Sequence, residues 1–168
     1  MNQSERRQYV FDHRTCILGY SRKNDGPSMS VVYYVRDGDD LLISTMAGRS
    51  KALAIARNPK ISLCVLDEKW PLGYLQVYAN AVIETDFDQT VDVMRRITDL
   101  MAGERMPDSK LPAIEAMCRE ENRVVIRATP YSTFQTPPSR LHSRRHRHSL
   151  PHHQLQRSLV AHMAIARG

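Results

Sequence analysis

The chain has 168 residues, enough for one domain with a hydrophobic core, alone or followed by a tail. Its net charge of +6 and pI near 9.5 would suit a polyanion binder, yet residues 1–136 hold 18 Lys and Arg against 18 Asp and Glu, so that part is neutral. Three widely spaced cysteines exclude a disulfide framework and a Cys-rich metal site, and no apolar run is long enough to span a bilayer as a helix.

The polar start MNQSERRQYVFDHR carries no signal-peptide pattern, so a cytoplasmic protein is expected. Residues 4–13 are predicted to form a short helix, capped by Ser4, with Tyr9, Val10 and His13 on one side. Thr15–Tyr20 reads as a strand, the cluster RKNDGP at 22–27 as a turn, and the Val- and Tyr-rich 28–35 as one further strand. Arg36-Asp37-Gly38-Asp39 signals a hairpin, because Asp-Gly supplies the positive φ that tight turns need. Asp40–Met46 returns as a strand and leads into a helix at 49–57. That helix must stop at Asn58, since Pro59 disfavours helical geometry in the residue before it.

Lys60–Leu66 is the next strand, and 67–73 a loop with the only tryptophan, Trp70. Residues 74–83 alternate cleanly, Leu75, Val77, Ala79, Ala81 and Ile83 against Tyr74, Gln76, Tyr78 and Asn80, as a half-buried antiparallel strand does. Asp86 fits a helix cap, and Phe87, Val91, Met94, Ile97 and Met101 keep helical spacing up to a stop at Gly103. A second helix starts near Asp108, with Pro112 in its first turn and Ile114, Met117 and Cys118 inward. Residues 123–128 are the last strand. So many hairpin-linked strands predict an α+β architecture, a closed or nearly closed antiparallel β-barrel with peripheral helices. Cys16 and Cys64, within apolar runs, are expected to be small core residues.

The domain is therefore expected at 1–136. Residues 137–168 form a basic, Arg- and His-rich segment with six of the seven histidines and no sustained apolar period, read as a disordered tail. Any nucleic-acid binding would come from this tail, through charge alone.

The chemistry is concentrated in STMAGRSKALAIARN at 44–58. First helical turns favour Asp and Glu, because the helix dipole places partial positive charge there. Here Arg49 and Lys51 flank Ser50 instead, with Ser44, Thr45 and Gly48 just upstream. Free N–H groups and two cations make a phosphate site. No Ser/His/Asp set, paired-carboxylate motif or metal cluster is present, so a catalytic side chain is not assigned and no metal is expected.

Two runs, VVYYVRDGDDLLISTMAGRSKALAIARNPKISLCVLDEKW and YLQVYANAVIETD, resemble the pyridoxamine-phosphate-oxidase-like flavin and deazaflavin oxidoreductases, the likeness covering about residues 5–137. The resemblance implies a split β-barrel homodimer with the cofactor at the subunit seam. By position, Ser44 and Thr45 match the strand end lining the cofactor phosphate, and Arg49, Ser50 and Lys51 the cationic turn that grips it. Met29, Ser30 and Val31 correspond to the strand whose backbone edge faces the isoalloxazine ring. Gln76 matches a residue that reaches the cofactor from the partner subunit in flavin-binding members. Trp70 has two readings, a cover for the ring or a loop anchor. Pyridoxamine phosphate oxidase proper has an arginine near Met29 or Ser30, and its absence here argues against vitamin B6 chemistry. Arg140-Leu141-His142 is only superficially like that enzyme's substrate-binding end.

The activity implied is hydride transfer between coenzyme F420 and a small organic acceptor, the cofactor carrying the redox chemistry. FMN is the alternative cofactor, and a non-enzymatic flavin or small-molecule carrier the alternative class. No membrane partner is expected.

Overall fold

The computed structural model describes residues 1–67, 69 and 73–135. Trp70, Arg140-Leu141-His142 and the segment read as a tail lie outside the described residues, and Met1–Gln135 forms one compact unit. Its elements run α1 (Gln3–Asp12), β1 (Thr15–Tyr20), β2 (Ser28–Tyr33), β3 (Val35–Asp37), β4 (Asp40–Met46), α2 (Ser50–Arg57), β5 (Lys60–Leu66) and β6 (Tyr74–Glu84). There follow α3 (Phe87–Ala102), a single 3-10 turn (Asp108–Lys110), α4 (Leu111–Glu120) and β7 (Arg123–Phe134).

The seven strands form one antiparallel sheet in the order β2-β1-β5-β6-β7-β4-β3. Its two edge strands are separated in sequence by Tyr34 alone. Residues two apart span at most about 7 Å, so the sheet must curl until its edges nearly meet there. The result is an α+β split barrel. Tyr34 pins the junction: it is 2% exposed and donates its hydroxyl to the Val10 carbonyl at 2.7 Å.

This junction corrects the single strand expected at 28–35. Tyr34 and Val35 are both buried, which breaks strict alternation, and the chain changes sheet neighbours between them. Three other expectations shift. The α1 cap is Asn2, not Ser4: its side chain accepts from the Glu5 N–H at 2.9 Å while Glu5 accepts from the Asn2 N–H at 2.6 Å. β7 runs on through Pro130 to Phe134. A bulge opposite Tyr78 and Ala79 absorbs the extra residue, Tyr131, next to Pro130. Met101 is exposed because the apolar stripe of α3 has rotated off the sheet by its last turn, and Cys64 is only half-buried.

Leu18, Ile43, Leu63, Val77 and Ile126 fill the barrel. Leu42, Val93, Met94, Ile97, Ile114, Cys118 and Val125 form a second core, where α3 and α4 cover the outside of β4 and β7. Asp86 caps α3 by accepting from the Gln89 N–H at 2.8 Å, and Gly103 ends it with φ 75°, a left-handed geometry that disfavours side chains. No described helix is long and apolar enough to cross a membrane.

Candidate functional site

The barrel's split positions the cationic turn. β3 pairs with β4 only as far as Leu42, so the remainder of β4 has β7 on one side and, across the open seam, β2 on the other. The chain leaves β4 at Met46, turns at Ala47 and Gly48, and starts α2 over that seam. The turn is fixed by the Ala47 N–H, which donates to the Asn122 carbonyl at 2.9 Å, and by the Arg49 N–H, which donates to the Met46 carbonyl at 3.1 Å.

At α2 the expected anomaly is present. The first turn holds no acid, and Arg49 occupies the N-cap without making a side-chain capping bond. An α-helix leaves its first N–H groups without intrahelical acceptors, so this end offers backbone donors as well as cations. Arg49 is exposed, its Nε lying 3.2 Å from the Met46 Sδ. Lys51 is half-buried and spans the seam, donating from Nζ to the Ser30 Oγ of β2 at 3.0 Å. Ser30, Arg49, Ser50 and Lys51 therefore lie together.

Tyr20 joins them, and sequence reasoning missed it. It ends β1 directly opposite Ser28 and is buried. Ser28 and Ser50 stand beside its hydroxyl, with Lys51 and Arg22 nearby. The Ser28 hydroxyl above all, with Ser50 and the neighbouring cations, holds its acidity stronger than that of an ordinary tyrosine, against the opposing effect of burial. The available signal was its phase: Cys16, Leu18 and Tyr20 share one face of β1, which places a hydroxyl at the end of the barrel interior.

The other predicted residues separate. Thr45 is buried on the barrel side of β4, while Ser44 faces the opposite way and accepts from Arg123 Nη1 at 3.2 Å, beside the Arg123–Glu121 ion pair at 2.6 Å. Met29 and Val31 turn outward, each 72% exposed, on a strand with no neighbour beyond it in the sheet order. Gln76 lies on that same outer face, in the cross-strand row Val31, Ile17, Cys64, Gln76. Three strand spacings put it about 14 Å from Val31, too far to reach the free edge of β2 in one subunit.

Comparison with known proteins follows this geometry. The sequence pattern described as pyridoxamine 5'-phosphate oxidase matches residues 3–135. No curated protein matches significantly. Among solved structures, an F420 reductase is 21% identical, covering 73% of this chain and 90% of that one, with a TM-score of 0.57. An FAD-binding protein from Mesorhizobium loti is 15% identical over 79% and 92%, with a TM-score of 0.57. The heme storage protein HutZ from Vibrio cholerae is 16% identical over 79% and 93%, with a TM-score of 0.56. At such identities the likeness carries the fold alone. The family pattern spans nearly all of the described residues and the strands it covers build the split barrel, so the chain belongs to the pyridoxamine 5'-phosphate oxidase family.

Proposed function

We propose that this protein is an oxidoreductase that holds coenzyme F420 at the barrel seam and passes a hydride between it and a small organic acceptor. The observation that carries the proposal is the acid-free, uncapped start of α2, with Arg49 exposed and Lys51 tied to Ser30 across the split. That cluster fits a phosphate: it pairs two cations with backbone donors, and Ser50 and Tyr20 add hydroxyls. The F420 reductase of the same fold supports this choice of cofactor.

When bound, the deazaflavin supplies the hydride chemistry. Arg49 and Lys51 neutralise the phosphate, and Ser50 and Tyr20 orient it. The free edge of β2, where alternate backbone groups of Ser28–Tyr33 point away from β1, sets the ring in place. Gln76 cannot reach that edge within its own subunit, so its contribution comes from a second copy. The exposed Met29, Val31, Tyr78 and Phe134 on the outer face give a homodimer the apolar contact it needs.

FMN is the second reading, favoured by Gln76 and by the FAD-binding protein of like fold. The heme storage protein of the same fold keeps a non-enzymatic binding module as the third. Spectroscopy of purified protein separates them. A colourless sample that quenches added F420 fluorescence and then reduces an acceptor supports the proposal. A flavin band near about 450 nm supports FMN, and tight binding without reduction of any quinone, unsaturated ketone or tetrapyrrole supports a carrier.

A further inference from the structure

At the mouth of the barrel, well apart from the α2 turn, α1 lies across an opening it does not fill. None of its ten residues is fully buried: only Tyr9 and Val10 pack against the barrel core, and polar ties hold the rest. Arg6 Nη1 donates to the Thr133 Oγ1 at 2.6 Å, the Tyr9 hydroxyl to the Gly73 carbonyl at 3.1 Å, and the Tyr34 hydroxyl to the Val10 carbonyl. Beneath α1 remains a cleft of about 530 Å³, within the range of small-ligand sites, which favour the mouths of barrels.

The cleft is two-sided in character. Leu41, Leu75 and Val77 close its floor, and Val10, Pro130 and the bulged Tyr131 form apolar walls. Its rim carries Arg6, Arg7 and Arg36 against a single carboxylate, Asp39, which Arg7 already engages at 2.7 Å. Among the described residues Arg6 and Arg36 have no carboxylate partner; Arg36 donates instead to the Gly38 carbonyl at 2.7 Å and stacks over Phe11. Two uncompensated guanidinium groups over an apolar floor select an anion with a hydrocarbon body. We propose that this cleft binds a medium-chain carboxylate, its chain under α1 and its charge between Arg6 and Arg36. The site is independent of the cofactor reading and stands or falls separately.

Calorimetric titration of the full chain with octanoate tests it, with octylammonium and inorganic phosphate as comparison ligands. The expected result is one saturable octanoate site below about 1 mM, with both comparison ligands at least about tenfold weaker. Arg36→Gln weakens octanoate about tenfold. Val10→Trp, which fills the cleft from α1 and leaves every charge in place, abolishes binding while circular dichroism shows the variant folded. Methyl shifts on Val10, Leu41 and Val77 locate the ligand in the wild-type chain. Absent saturation in the millimolar range, equal affinity for octylammonium, or octanoate binding unchanged in both variants overturns the proposal.

Discussion

Tyr20 shows how one side chain organises the cluster at the seam. It lies opposite Ser28 of β2 and beside Ser50 of α2, where Lys51 of the helix start grips the same edge strand at Ser30. Because its folded acidity exceeds that of an ordinary tyrosine, its ionisation adds stability only at alkaline pH, and that gain disappears as the pH falls through its folded value. A phenolate beside a bound phosphate is repulsive. Cofactor affinity should therefore decline as the pH rises towards, yet still below, the usual tyrosine range. Tyr20→Phe should weaken binding about three- to tenfold at neutral pH, for one lost hydrogen bond, and remove the alkaline decline. Fluorescence titrations across pH check both effects; an unchanged profile in the variant would remove Tyr20 from the site. The sequence made Arg49 and Lys51 legible because cations at a helix start break a local rule. Tyr20 and Ser28 broke none: a tyrosine at a strand end and a serine after a turn are ordinary, and only cross-strand register unites them.

Among the elements, β3 is the least self-sufficient, three residues long and on the sheet edge. Arg127 secures it. From β7 this one guanidinium reaches Asp37 at 2.8 Å, Asp40 at 3.0 Å and Glu84 at 2.8 Å, which ties the β3–β4 hairpin to β6. The three carboxylates raise its already high basicity further. Partial solvent exposure screens these contacts, so Arg127→Ala should cost about 1–2 kcal/mol, read by urea denaturation. A loss within error would mean that the hairpin holds by its backbone ladder alone. Elements with strong local periodicity were readable: the alternation of β6, the stripe of α3 as far as Ile97 and the stop at Gly103 stand where the pattern put them, Met101 alone leaving the stripe. The boundary at Tyr34 was not, because 28–35 has the composition of a single strand, and the switch is imposed by closure of the barrel. Likewise the run of β7 beyond residue 128 was not legible, since it passes through Pro130 and a bulge.

At the scale of the molecule, the split barrel leaves its outer face open across β2, β1, β5, β6 and β7, with Met29, Val31, Tyr78 and Phe134 exposed together. Under the proposed function, a homodimer covering this face would bring Gln76 of one copy to the β2 edge of the other, since within a subunit it lies three strand spacings, about 14 Å, from Val31. Val31→Asp places a charge on the exposed β2 margin of that face. Light scattering should then report a monomer for the variant and a dimer for the wild type, with cofactor affinity lost alongside; a dimeric variant would contradict the arrangement. The barrel class was legible from the count of hairpin-linked strands, whereas the seam that makes the site depends on strands far apart in sequence. The most direct test of the whole account is equilibrium binding of F420 and of FMN to the double variant Arg49→Glu, Lys51→Glu beside the wild-type chain. Two reversed charges at a phosphate should lower the affinity of the true cofactor by at least about a hundredfold while leaving the fold intact. Equal affinity in both proteins would contradict the claim that an anionic group of the cofactor rests at the start of α2.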